Sequence, residues 1–186
     1  MPRSGEDVRR RLQEAALVLF RAHGYEAVTA AEIAAEAGVT ERTFFRHFPD
    51  KREVLFAGQD GNRAALARAI AEAPESTAPL AVLVQAFRAM QPVLALNRPF
   101  AQPRAEIIAS NPGLRERELA KFASFQQIAA ESLAARGIPP RQAVLAAQVG
   151  MAAFGQVLQR WMTDPDADFD ALLTEALHNL RELVLQ

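Results

Sequence analysis

A chain of 186 residues with 50% hydrophobic content is long enough to bury a sizeable core, and a formal net charge of −1 means that any affinity for a polyanion rests on clustered charge rather than overall charge. Cysteine is absent, which excludes a disulfide framework and a thiolate metal centre. No apolar run is long enough to span a membrane and the first residues lack the apolar core of a signal peptide, so a cytoplasmic location with no membrane partner is expected.

Taken in chain order, Ser4 caps a first helix whose residues Val8, Leu12, Ala15, Ala16, Leu19 and Phe20 fall on one face, and Gly24 ends it. Tyr25 and Val28 form the connection beneath it. The stretch from Thr29 to Lys51 reads T-A-A-E-I-A-A-E-A-G-V-T-E-R-T-F-F-R-H-F-P-D-K. Thr29 and Glu32 have the spacing of a capping box, so a short helix begins at Ala30. Gly38 stops it at a tight turn that needs a left-handed backbone, and Thr40 caps a second helix. Ile33, Ala34, Ala37, Val39, Phe44 and Phe48 can share one buried seam. Glu41, Arg42, Thr43, Phe45, Arg46 and His47 are left mostly outside it.

Pro49-Asp50 breaks the second helix, and Asp50 with Glu53 repeats the capping-box spacing. A helix is expected from 51 to 73, where Pro74 halts it. Its start, with Lys51 and free N–H groups pointing one way, suits a phosphate. Its far end, near Leu66 to Ile70, is expected to border a ligand cavity, so that the whole helix acts as a lever. Further helices are expected over 79–97, 100–110, 112–136, 140–163 and 169–185, with no sustained strand alternation and no internal repeat. The fold class is therefore all-α.

A helix with a polar, arginine-bearing face, held by a partner across a glycine turn, fits the DNA major groove. A capped αα-corner in an ordinary helical domain is the plainer alternative. The break at Pro49-Asp50 and the cationic helix start favour DNA. The segment from Val8 to Leu55, with A-A-L-V-L-F-R-A-H-G-Y-E-A-V-T followed by I-A-A-E-A-G-V-T-E-R-T-F-F-R-H-F-P-D-K-R-E-V-L, resembles the TetR family of bacterial transcriptional regulators. The resemblance implies a homodimer with an N-terminal three-helix DNA-binding domain, here 1–50, and a helical ligand-binding and dimerisation domain, here 51–186. It also implies that ligand binding releases a palindromic operator.

Carried over by position, Thr29, Thr40, Glu41, Arg42, Thr43, Phe45, Arg46, His47 and Lys51 are the candidate DNA contacts. Arg42 and Arg46 suit bidentate contacts to guanine, and His47 suits a phosphate. Phe45 departs from the family's usual tyrosine and cannot donate to a phosphate; its ring is left for apolar contact with a thymine methyl or a sugar. Arg9, Arg10, Arg11 and Arg52 add to the basic cluster.

The last two helices are expected, by resemblance, to pair with their symmetry mates in a four-helix bundle. Val149, Ala153, Phe154, Val157, Leu173, Leu177 and Leu180 are the expected interface residues; burial inside one chain is the competing reading. Phe87, Met90, Gln91, Leu94, Arg104, Phe122, Gln126, Gln148 and Met151 are candidate lining for a ligand pocket, apolar with a few polar anchors. The region from Gln102 to Lys121 resembles family members that bind acyl-CoA thioesters, which makes a small hydrophobic effector the leading expectation. A cationic drug is disfavoured for want of a carboxylate among those side chains. The alternative is a DNA-bound scaffold of the same fold controlled by a protein partner.

Asp164, Asp166, Asp168, Asp170 and Glu175 have the spacing of a calcium loop, yet Phe169 stands where that loop needs glycine. An acidic turn with Asp168 capping the last helix is the simpler reading, and no metal or cofactor is assigned. His23, His47 and His178 are widely separated and suggest no catalytic group, so an enzyme is not expected.

Overall fold

The computed structural model describes residues 5–57 and 59–185, the side chains at 59, 60, 184 and 185 apart. Ser4, the expected first cap, lies outside the described residues. Among those residues the elements are helices α1 (Gly5–His23), α2 (Ala30–Glu36), α3 (Glu41–His47), a 3-10 turn (Arg52–Phe56), α4 (Gln59–Glu72), α5 (Pro79–Ala95), α6 (Arg98–Ser110), α7 (Pro112–Ala135), α8 (Pro140–Thr163) and α9 (Phe169–Leu185). The all-α expectation holds, and most boundaries fall within two residues of the expected ones.

The chain forms two compact units, residues 1–59 with 99–119 and residues 60–98 with 120–186. A division after residue 50 would separate parts that share one core. Leu12, Ala16 and Phe20 of α1, Ile33 of α2 and Phe44 and Phe48 of α3 and its cap are buried together with Val54, Leu55, Phe56, Ile107, Ile108 and Leu114. Arg104 is tied into the same unit: its guanidinium donates to the Leu55 carbonyl at 2.6 Å, pairs with Glu118 at 3.0 Å and lies 5.1 Å from the Phe56 ring centroid.

The continuous helix expected from 51 to 73 is not formed. Arg52–Phe56 form a 3-10 turn instead, and Val54, Leu55 and Phe56 are all buried in the core of the first unit. Ala57 follows in extended backbone, with φ −61° and ψ 146°. A rigid lever starting at Lys51 is thereby ruled out.

In the second unit α4, α5, α7, α8 and α9 enclose Leu66, Ile70, Leu83, Phe87, Met90, Met151, Phe154, Trp161 and Leu173. Gly150 sits where α8 meets α5: a Cβ there would stand 2.6 Å from Leu83 Cδ1. Arginines donate to carbonyls at helix ends. Arg136 donates to the carbonyls of Ile70, Ala71, Ala73 and Pro74 at 2.7 to 3.1 Å. Arg98 donates to those of Trp161 and Asp164 while stacking 4.7 Å from the Trp161 ring centroid. Asp168 accepts from the Ala171 N–H at 2.7 Å, as the capping reading of the acidic turn anticipates.

Gly38 has a φ of +66°, and a Cβ there would lie 3.0 Å from the Arg11 guanidinium. Gly38→Ala is therefore expected to cost about 1–2 kcal/mol, read as a lower urea midpoint with an unchanged slope.

Candidate nucleic-acid interface

The α2–α3 pair is built by its caps. Thr29 N–H donates to Glu32 Oε2 at 2.7 Å, and the Glu32 N–H donates to Thr29 Oγ1 at 3.2 Å. This is the capping box read from the sequence. At α3 the Thr43 N–H donates to Thr40 Oγ1 at 3.2 Å, and the two hydroxyls are 3.0 Å apart. Phe44 and Phe48 are fully buried, 5.6 Å between ring centroids. Their burial on one side of a seven-residue helix leaves Glu41, Arg42, Phe45 and Arg46 exposed on the other. Arg42 and Arg46 make no ion pair among the described residues. Phe45 is 50% exposed and meets Phe44 edge to face, at 5.4 Å and 84°.

Other expected contacts are held differently. Thr43 is half-buried with its hydroxyl against Thr40. His47 is half-buried, its Nε2 shielded and unpartnered among the described residues, and its Cε1 would be 3.8 Å from a Cβ on Gly5. Burial, then the neighbouring charges of Arg46 and Arg9, hold its pKa below the ordinary value. A shielded Nε2 is not placed to donate to a phosphate.

Lys51 departs furthest from expectation. Its ammonium donates to the carbonyls of Tyr25, Glu26 and Val28 at 2.9, 3.3 and 2.9 Å and lies 4.4 Å from the Tyr25 ring centroid. It closes the α1–α2 connection from within and has no donor left for a phosphate. Asp50 does cap the following turn, accepting from the N–H groups of Arg52 and Glu53. Glu53 completes no reciprocal box; its carboxylate binds Arg117 at 2.8 Å. The basic cluster is correspondingly smaller, since Arg10 pairs with Asp7 and Glu14 and Arg52 with Asp50. Arg9 lies 5.0 Å from the Phe48 ring centroid, and Arg11 is tucked against the Gly38 turn.

In the second unit, Phe87, Met90, Leu94 and Met151 are closed core, with Phe87 stacked on Phe154 at 4.2 Å. Gln91, Phe122 and Gln126 are half-buried. Gln148 is exposed on α8, and Arg104 belongs to the other unit, so neither is a polar anchor in this interior. A shallow apolar groove, open to solvent and with room for little more than a water molecule, runs instead between α5, α8 and α9. Leu80, Val84 and Phe87 are among its lining, along with the expected interface residues Ala153, Phe154, Leu173, Leu177 and Leu180. Phe154, Val157 and Leu173 are 5%, 4% and 3% exposed within a single chain. They are buried in the core of the second unit; Val149, Ala153, Leu177 and Leu180 keep part of their surface.

Two capped helices across a left-handed glycine, with an outward face carrying two exposed arginines, define a helix-turn-helix DNA-binding regulator of transcription. Residues 12–57 match the family model of bacterial regulatory proteins of the tetR family, and residues 77–184 match that of the MftR C-terminal domain. Over 183 residues the chain is 31% identical to the HTH-type transcriptional regulator TcmR of Streptomyces glaucescens, covering 89% of this chain and 79% of that one. The crystal structure of Thermus thermophilus FadR, a TetR-family repressor in complex with lauroyl-CoA, is 27% identical, with TM-score 0.53 and coverage of 96% and 95%. The SmeT–triclosan complex shares the fold at 21% identity, with TM-score 0.61 and coverage of 92% and 90%. The chain belongs to the TetR family of bacterial transcriptional regulators.

Two outcomes are expected. Lys51→Ala should destabilise the protein by about 2 kcal/mol, since three carbonyls lose a charged donor, while leaving the salt dependence of DNA binding unchanged. For His47, a folded pKa below the ordinary 6.5 means that the neutral ring contributes stability above that pH and loses it as pH falls through the folded value. Thermal melts of wild type and His47→Asn should converge as the buffer is taken below pH 6.5.

Proposed function

We propose that this protein is a repressor that binds a near-palindromic operator as a homodimer and leaves it when a small hydrophobic ligand binds. The exposed row of Glu41, Arg42, Phe45 and Arg46 on a helix whose other side is buried is the observation that carries this reading. Arg42 and Arg46 are the guanine readers, and Thr29 and Thr40 are exposed at the starts of their helices. A two-fold dimer sets the half-sites about one helical turn, or a multiple of it, apart.

The dimer forms through α8 and α9. Leu145 is 62% exposed there, and Ala152 and Gln156 share the outward side of α8. Half-buried Val149, Leu177 and Leu180 adjoin them. The effector is apolar, and acyl-CoA is the first class to test, supported by the lauroyl-CoA complex of the Thermus relative. The tight Phe87–Phe154 stack favours a second reading, in which a protein partner rather than a small molecule controls DNA binding.

Arg42→Ala and Arg46→Ala are each expected to weaken binding to a selected duplex by about 1–3 kcal/mol per half-site, with little change on random DNA. Equal losses on both would remove the base-reading roles. Sedimentation at micromolar concentration is expected to give a dimer that Ala152→Arg splits without unfolding it; a wild-type monomer would overturn the interface. Lauroyl-CoA titrated into the free protein and into the protein–duplex complex is expected to bind the complex more weakly by the same factor by which it weakens DNA binding. Identical affinity in both titrations would exclude it as an inducer.

A further inference from the structure

Among the four exposed residues of α3, Phe45 is the one without a hydrogen-bonding side chain, and it is half exposed on an otherwise polar face. At about 100° per residue, the order around the helix is Glu41, Phe45, Arg42, Arg46, so the ring stands between a carboxylate and a guanidinium. Its position is fixed from below. Phe45 rests edge to face on Phe44, which is fully buried and itself packed on Phe48. The ring is therefore a seated apolar surface, and it offers nothing to a phosphate oxygen. Major-groove base edges present one apolar group, the 5-methyl of thymine, while Glu41 and Arg42 on either side match an amino donor and the guanine acceptors.

Resting on the DNA-reading proposal above, we infer that Phe45 is a specificity-determining residue that reads the 5-methyl group of a thymine in each half-site, between the bases addressed by Glu41 and Arg42. Sequence preference at that position then comes from burial of a methyl group rather than from a hydrogen bond.

The test begins with a duplex selected from a random pool by the wild-type protein. Each thymine of one half-site is then replaced singly by deoxyuridine, and affinities are measured for wild type, Phe45→Ala and Phe45→Leu, with circular dichroism to show that each variant is folded. One position is expected at which loss of the methyl weakens wild-type binding about fourfold. Phe45→Ala should be indifferent to uracil at that position, and Phe45→Leu should recover part of the discrimination. Uracil tolerated at every position, a uracil penalty that persists in Phe45→Ala, or a half-site without thymine would each overturn the assignment, while the selected duplex leaves DNA reading itself intact. A pool from which nothing is enriched would remove both proposals together.

Discussion

A seven-residue helix cannot hold itself together in water, because nucleation costs more than so few hydrogen bonds return. Everything α3 presents to the outside therefore depends on Phe44 and Phe48, two rings one turn apart that are buried in the core of the first unit. Their burial holds the helix in place and decides which residues face outward. The surface groups are seated on the same rings: Phe45 lies edge-on against Phe44, and Arg9 lies over Phe48. The Gly38 turn and the Thr29 and Thr40 caps set the angle at which this surface is offered, with Arg11 pressed against the turn. Core packing and the DNA-facing surface are two sides of one short element.

The cations of this chain do two kinds of work. Arg42 and Arg46 stand in solvent. Lys51, Arg98, Arg104 and Arg136 donate to backbone carbonyls at loops and helix ends. The difference follows from surroundings rather than residue type. Lys51 follows directly after the Pro-Asp break, where the chain folds back over the Tyr25 to Val28 connection, and three carbonyls converge on its ammonium. Arg104 lies between the 3-10 turn and Glu118. Burial lowers its pKa while Glu118 opposes the shift.

The second unit is organised around close contact between α5 and α8. Gly150 lets Leu83 approach the α8 backbone, and Phe87 stacks on Phe154 beside it. These contacts turn the most apolar side of α8 inward. What remains outside is a mixed row containing Leu145, Ala152 and Gln156, with the apolar groove along α9. Small residues on α8 thus serve packing within the chain first.

Local chemistry was enough to settle what depends on neighbours within a few residues. The capping box at Thr29, the cap at Thr40, the left-handed Gly38, the buried seam through Phe44 and Phe48 and the exposed Glu41, Arg42, Phe45 and Arg46 were all legible, because caps, turns and periodicity are short-range. The apolar spacing of α8 was legible too, but burial against α5 and burial against another copy produce the same pattern. Tertiary structure decided between them for Phe154, Val157 and Leu173. It also decided that residues 51–73 do not form one helix: the chain turns through Arg52–Phe56, with Val54, Leu55 and Phe56 buried in the first unit's core. Lys51 and Arg104 bind carbonyls more than twenty residues away along the chain. No spacing rule reaches that far, since the position of a distant backbone oxygen exists only once the chain has folded.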